Sequence, residues 1–325
     1  MDAVSHLIRL ARLDASLDKR CLLGRSTRMN VTGYGQREAP FHVLLHGSCT
    51  LEVGARQLEL EAGDVVIIPS GASHRVITAG EHPLEPIAES AGDAFTTTRS
   101  ASGGQAVIDL FCGHYTFGPG AGAMLFRSLP DPLHVSFGKA ADGEAVLRTL
   151  GGLMREEAGR EGAGTAAILS ALCTVMLAMV LRTGSATATA MWTAAADARI
   201  AAVVEEVLEH PGDEWSIERM SRLAAMSRAT FMRHFRRGTG MSVGAFVARA
   251  RLMTAAELLI SEEATVASVA MRVGYRSESA FSRSFRSAVG VTPARFRRES
   301  QLPPASGRLL MKQRRATVVP SDDEH

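Results

Sequence analysis

A short pattern near the C-terminus occurs twice. Phe231, Arg233, Phe235, Arg236 and Gly240 return as Phe281, Arg283, Phe285, Arg286 and Gly290, each 50 residues later, and Ser242 is answered by Thr292 in the same register. Five identities at one offset mark an internal repeat, and hence two copies of one folding unit. In each copy the phenylalanines are spaced i, i+4, which places them on one helix face, turned toward a core. Arginines occupy the other side. Ser216, Ser227 and Ser277 stand where helix N-caps belong, and Ala224–Met226 and Gly274–Tyr275 fall where a tight turn joins two helices. Each copy predicts a helix-turn-helix whose second helix suits a DNA major groove. Val243 to Ile260 predicts one long helix between the copies. Two readers on such a rigid connector meet successive grooves about 34 Å apart.

Charge supports this reading. Between Ser216 and Arg298 there are 15 Arg and 5 Glu, with no Lys and no Asp, a balance of +10 that leaves −8 for the rest of a chain whose total is +2. A basic third on an acidic body is the asymmetry of a nucleic-acid-binding module attached to something else. Guanidinium binds phosphate and guanine in a bidentate manner, so arginine without lysine favours both contacts. A solvated basic face would give the same count.

The segment VASVAMRVGYRSESAFSRSFRSAVGVTPARFRR resembles the signature of AraC/XylS transcription regulators, over roughly 100 residues from Arg199 to Arg298. The resemblance implies a single chain carrying both helix-turn-helix units on double-stranded promoter DNA, usually as an activator working with RNA polymerase. It carries base contact to Ala229, Met232 and Arg233 in the first copy, and to Glu278, Ser279, Ser282 and Arg283 in the second. Arg228, Arg236, Arg237, Arg276 and Arg286 complete the expected DNA-binding set, with Arg236, Arg237, Arg286, Arg297 and Arg298 favoured for phosphate. Most protein–DNA contacts go to the backbone, so Arg233 and Arg283 stay open between base edge and phosphate. The four phenylalanines are core.

The front third alternates as strands do. Phe41 to Val76 is a series of short apolar runs broken by Gly47, Gly54, Gly63, Pro69 and Gly71, which are turn signals. Gln105 to Phe117 returns to strand after a Gly, Ser, Thr and acid-rich stretch (80–104) expected to be a mobile loop. GDVVIIPSGASH, Gly63 to His74, resembles the second motif of cupins. The first cupin motif supplies two histidines one residue apart and then a glutamate; here His42 and His46 stand four apart, so the usual metal site is incomplete. That argues against a metal-dependent enzyme. Cupin-fronted AraC-like regulators are a known combination, and the start of the chain, Cys21 and the strand pattern resemble a subgroup that responds to reactive oxidants.

Four cysteines (Cys21, Cys49, Cys112, Cys173) without a CxxC pair suit a reducing cytosol, not a disulfide scaffold. Cys21, flanked by Lys19 and Arg20 on an expected loop, reads as a reactive thiolate. Cys112 shares the inward parity of Ile108 and Leu110 and reads as its resolving thiol or as a small buried hydrophobe. His42 and His74 would tune the thiols or complete a soft-metal site for zinc or copper(I). No resident cofactor is assigned, and a small organic effector in the barrel is the competing signal.

The expected organisation is α+β and multidomain. A cupin-like sensor barrel (1–140) is followed by a helical segment (141–183), a small-residue linker (184–198), the double helix-turn-helix domain (199–299) and a disordered tail (300–325). The apolar helix from Thr165 to Leu181, with Ile168, Leu169, Leu172, Val175, Met176 and Met179, is shorter than the roughly 20 residues a bilayer needs. It reads instead as a homodimer interface or as packing on its own barrel. With no signal peptide visible, the expected location is cytoplasmic, with no membrane partner.

Overall fold

The computed structural model describes residues 2–80, 85–101, 104–137, 143–160, 162–183 and 197–301. The expected linker and tail fall almost wholly outside them. The chain opens with helix α1 (Ala3–Ala11), capped by Asp2, whose side chain accepts the Ser5 N–H. Eleven strands follow among the described residues: β1 (Asp14–Leu23), β2 (Arg28–Val31), β3 (Glu38–His46), β4 (Ser48–Val53), β5 (Arg56–Glu61), β6 (Asp64–Ile67), β7 (His74–Ile77), β8 (Ile87–Ala91), β9 (Thr96–Ser100), β10 (Ile108–Thr116) and β11 (Leu133–Ser136), with helix α2 (Ala121–Ser128) between the last two.

They form a seven-stranded sheet, ordered β11-β6-β3-β10-β1-β9-β8, and a four-stranded sheet, β2-β7-β4-β5. Side chains alternate across the larger sheet. Cys21, Leu44, Val66, Leu110 and Cys112 face the smaller sheet and meet Met29, Cys49, Leu51 and Val76. Leu17, Val43, Val65, Phe111 and Tyr115 face helices on the other side. Strands covered on both faces read as continuous apolar runs, which is why FHVLL and VVII show little alternation. The stretch expected to be a mobile loop instead contains the hairpin β8–β9, whose second strand pairs in parallel with β1. Its residues are polar because it forms the sheet's outer edge, where β8 is mostly exposed.

Helices α3 (Gly143–Arg160) and α4 (Thr165–Thr183) cover the larger sheet. Among the described residues α4 is the one helix long and apolar enough to cross a membrane, yet Leu169, Cys173, Met176, Leu177 and Val180 are buried against the body. The Tyr115 hydroxyl donates to the Cys173 carbonyl at 2.9 Å. The other side of the α3–α4 pair leaves Val146, Leu153, Ile168 and Val175 about half exposed.

The C-terminal helices are α5 (Ala198–Glu209), α6 (Ile217–Leu223), α7 (Arg228–Thr239), α8 (Val243–Ser261), α9 (Val266–Arg272), α10 (Glu278–Val289) and α11 (Pro293–Gln301). Ser216, Ser227, Ser242, Thr265 and Ser277 cap the helices that follow them. The repeat extends one turn beyond the motif. Phe246 and Phe296, again 50 apart, pack edge-to-face on Phe235 and Phe285 at ring separations of 5.5 and 5.2 Å. The leading helices α6 and α9 repeat at 49 residues, because the second turn is one residue longer. Ala225 (φ 50°) and Gly274 (φ 82°) take the left-handed position in the two turns.

Candidate nucleic-acid interface and a buried thiol–histidine cluster

The second helix of each unit presents one polar face. On α7, Phe231 and Phe235 are fully buried while Arg228, Ala229, Met232, Arg233, Arg236 and Arg237 are exposed. Met232, Arg233, Arg236 and Arg237 line a shallow concavity of about 520 Å³. On α10, Phe281 and Phe285 are buried, Glu278, Ser279, Arg283 and Arg286 are exposed, Ser282 is half-buried, and Arg276 precedes the helix in full exposure. Arg228 is paired with Glu218 at 2.8 Å. Arg233, Arg236, Arg237, Arg283 and Arg286 have no ion-pair partner among the described residues, so binding an anion there breaks no internal bridge.

Not every arginine of the basic third is available. Arg251 spends its guanidinium on the carbonyls of Pro211 and Asp213, both at 2.9 Å. Arg297, expected at a phosphate, donates to the carbonyls of Leu259 and Ala264 at the C-terminal end of α8 and into the loop beyond. Unsatisfied helix-end carbonyls attract such donors, and charge counting cannot see them.

Inside the body, four widely separated residues converge. Cys112 lies directly across the β3–β10 ladder from His42, and Cys21 lies diagonally across the β1–β10 ladder, opposite Leu110. His74 comes from the facing sheet. The Cys21 and Cys112 sulfurs are 3.6 Å apart, both thiols free. His42 Nδ1 is 3.1 Å from Cys112 Sγ, and His42 Nε2 is 2.6 Å from His74 Nε2. His74 Nδ1 reaches the Ala72 carbonyl at 2.8 Å, and Cys21 Sγ touches Met29 Sδ at 3.5 Å. All four side chains are buried.

Burial disfavours charge on Cys112, His42 and His74. Contact with the Cys21 sulfur, together with burial, pushes the Cys112 thiol well above its ordinary range. Burial, reinforced by His74, holds His42 well below the usual imidazole value, and burial lowers His74. The expectation of a loop-borne Cys21 activated by cations is corrected: Cys21 is buried within β1, Lys19 is paired with Glu89 at 2.5 Å, and Arg20 with Asp109 at 3.0 Å. The donors also lie along a line, with the His42 ring between the thiols and His74. Among the described residues no group of three or more His, Cys, Asp or Glu is placed to hold a metal ion, so the soft-metal expectation finds no converged site.

A cupin family profile matches residues 2–186, more than half of the chain, and a helix-turn-helix domain profile matches residues 220–299. The chain is 28% identical to the HTH-type transcriptional regulator MtrA of Neisseria gonorrhoeae, over 92% of this chain and 99% of that protein. It is likewise 28% identical to a putative AraC-like transcription regulator of Streptomyces lividans, over 93% and 100%. The chain belongs to the cupin family and is an AraC-family, DNA-binding transcription regulator. The RCS-specific HTH-type transcriptional activator RclR of Escherichia coli (strain K12) is also 28% identical, over 94% of the regulator and 100% of its own length. Among solved structures, the DNA-binding domain of AdpA in complex with a target DNA is 36% identical over 31% of the regulator and 91% of that chain, at a TM-score of 0.30.

Other residues singled out in the regulator's sequence lie apart from the cluster. His46 is exposed at the end of β3. His114 pairs with Asp18 at 2.8 Å. Cys49 is buried on the smaller sheet, where burial and the nearby Glu59 and Asp64 carboxylates push its thiol up to about 12. Cys173 is a buried hydrophobe in α4, its thiol likewise pushed up to about 12 by burial. Sequence reasoning missed Met29 and Ala72. A methionine has no motif, and a backbone carbonyl has no sequence signal at all.

Proposed function

We propose that the regulator senses an oxidant by joining Cys21 to Cys112, and that the barrel passes this change to the two DNA-reading helices. The observation that carries the reading is the 3.6 Å contact between two free, buried thiols from different strands. Closing to a disulfide needs a sulfur movement of about 1.5 Å, within reach of side-chain rotation and a small strand shift. Two thiols and an oxidant HO–X give one disulfide, water and HX, a two-electron exchange that balances. The RclR relative, described as an RCS-specific activator, supports the same reading.

A covalent path leads outward from Cys21. Strand β1 runs back to Arg12 and α1, and Arg12 forms a two-point ion pair with Glu257 on α8, the helix between the readers, at 2.9 and 2.8 Å. A shift of β1 is thereby delivered to the element that sets reader spacing. At the DNA, Ala229, Met232, Arg233, Glu278, Ser279, Ser282 and Arg283 meet base edges, while Arg228, Arg236, Arg237, Arg276 and Arg286 hold the backbone. The half-exposed apolar face of α3 and α4 joins two copies of the chain. Activation through RNA polymerase in the cytoplasm, and a sensor unit of 1–140 with a pairing segment of 141–183, complete the proposal.

The test uses the full chain on an operator selected from random duplexes, before and after hypochlorous acid or peroxide. Peptide mapping should find a Cys21–Cys112 disulfide, and operator binding should change with it. Cys21→Ser should keep basal binding and lose the response. An oxidant response that survives in Cys21→Ser refutes the reading and leaves a small organic effector as the signal.

A further inference from the structure

We infer that His42 and His74 form a proton relay of set direction that makes Cys112, and not Cys21, the sulfur attacked first by a small uncharged electrophilic oxidant. The inference rests on the thiol-sensing reading and deepens it. Each proton in the cluster has one place to be. The Ala72 carbonyl can only accept, so His74 Nδ1 carries hydrogen and donates to it at 2.8 Å. His74 is buried in its neutral form, so its Nε2 is a bare lone pair. The 2.6 Å contact between the two Nε2 atoms is then an N–H···N bond in which His42 donates. His42, neutral as well, must present a bare Nδ1 to Cys112, and the thiol donates to it across 3.1 Å. With its one proton committed there, Cys112 can only accept from Cys21, whose own proton is shared between Cys112 Sγ at 3.6 Å and Met29 Sδ at 3.5 Å. A single backbone carbonyl sets the tautomers of both histidines.

The two thiols are therefore unequal. Contact with Cys21 and burial hold Cys112 as the thiol, so it reacts only through a base at its proton, and it has an imidazole nitrogen in line with that proton, the arrangement of a nucleophile with its base and an orienting group behind it. Cys21 faces two sulfurs, neither of which takes a proton readily. When an oxidant HO–X reaches the cluster, Cys112 sulfur forms the S–X bond as the O–X bond breaks. The thiol proton passes to His42 Nδ1 while His42 hands its Nε2 proton to His74, and one proton leaves the pair to convert the departing hydroxide to water: Cys112–SH + HO–X gives Cys112–S–X + H2O. Cys21 sulfur then displaces X from Cys112, its proton leaving with X as HX. The sulfurs lose two electrons and the oxidant gains them. His42 touches the reacting atom. His74 acts through it as a positioning residue. Because all four side chains are buried, charged oxidants are shut out, and the class admitted is that of hypohalous acids and hydrogen peroxide.

The experiment measures thiol oxidation in the full-length protein by stopped-flow mixing and peptide mapping, with a dione trap for sulfenic acid and peroxide as the probe. In Cys21→Ser the trap should label Cys112; in Cys112→Ser, labelling of Cys21 should be at least ~10-fold slower, and in His42→Gln disulfide formation should slow about 100-fold, within the range of general-base contributions. A readout independent of any variant comes from 15N–1H spectra of the reduced wild type, which should show His42 protonated at Nε2 and His74 at Nδ1. Preferential labelling of Cys21, an unchanged rate in His42→Gln, or His42 protonated at Nδ1 each overturns the relay. A wild-type chain that forms no disulfide with any oxidant overturns the sensing reading itself, which is a different result.

Discussion

Arg233 and Arg283 hold equivalent places on α7 and α10, exposed and unpaired among the described residues. Their neighbours Phe231, Phe235, Phe281 and Phe285 are fully buried, so each arginine stands on a helix whose orientation is set from beneath. A guanidinium so placed can meet guanine with two hydrogen bonds. Arg233→Ala and Arg283→Ala should each cost about 1–3 kcal/mol on the preferred sequence and relax preference at one base pair, measured by competition among operator variants. Uniform weakening across all sequences would assign the residue to phosphate instead. The repeat made these two positions legible, since a spacing of 50 puts them in the same geometric role. Arg251 and Arg297 were illegible by the same means, because their partners are carbonyls distant in the chain.

At the level of the element, β1 is the piece on which the sensing reading depends. It pairs antiparallel with β10, with an irregularity between Leu17 and Lys19. Gly113, beside Cys112, permits the close approach: a Cβ there would stand 2.1 Å from the Ser16 carbonyl oxygen and 2.5 Å from the Phe41 ring. Gly113→Ala must therefore spread β1 from β10. The expected cost is about 1–3 kcal/mol of stability, as for other overpacked sites, read as a lower thermal midpoint, with slower Cys21–Cys112 disulfide formation. A variant as stable and as quick to oxidise as the wild type would show that the strand spacing does not govern the thiol contact.

At the scale of the whole molecule, the barrel body and the DNA-binding helices share a continuous apolar core. Helices α1 and α2 lie against the DNA-binding helices: a Cβ on Gly120 of the loop before α2 would stand 2.5 Å from Ala256 and 3.0 Å from Phe296. Across this junction the Arg12–Glu257 pair is partly exposed, so its direct worth is about 0.2–1 kcal/mol. Arg12→Ala should leave stability and basal binding nearly intact and reduce the change in operator affinity on oxidation, checked by titration of reduced and oxidised protein. His6 sits in the same junction, its Nε2 without a hydrogen-bond partner among the described residues. Burial lowers its proton affinity, as it does for His42 and His74. For all three the folded value lies below the unfolded one, so the unfolded chain binds more protons and stability rises with pH. As pH falls below about 6.5, stability should drop by at most about 1.4 kcal/mol per pH unit for each histidine, read as a lower thermal midpoint. A midpoint flat from pH 7.5 to 5.5 would contradict this.

What the residues alone determined is the local and the periodic: two capped helix pairs, their buried phenylalanine faces, the arginines opposite, and strands broken by glycine turns. These follow from short-range rules of spacing, capping and backbone freedom that act within a dozen residues. Strand parity also placed Cys112 inward. Only the tertiary structure decided that Cys21 is sheltered and not cation-activated, that Cys112 meets His42 across one ladder and His74 from the other sheet, and that α1 locks against the reader's connecting helix. Those outcomes depend on which strands pair and in what register, a property of the whole sheet that no single segment encodes.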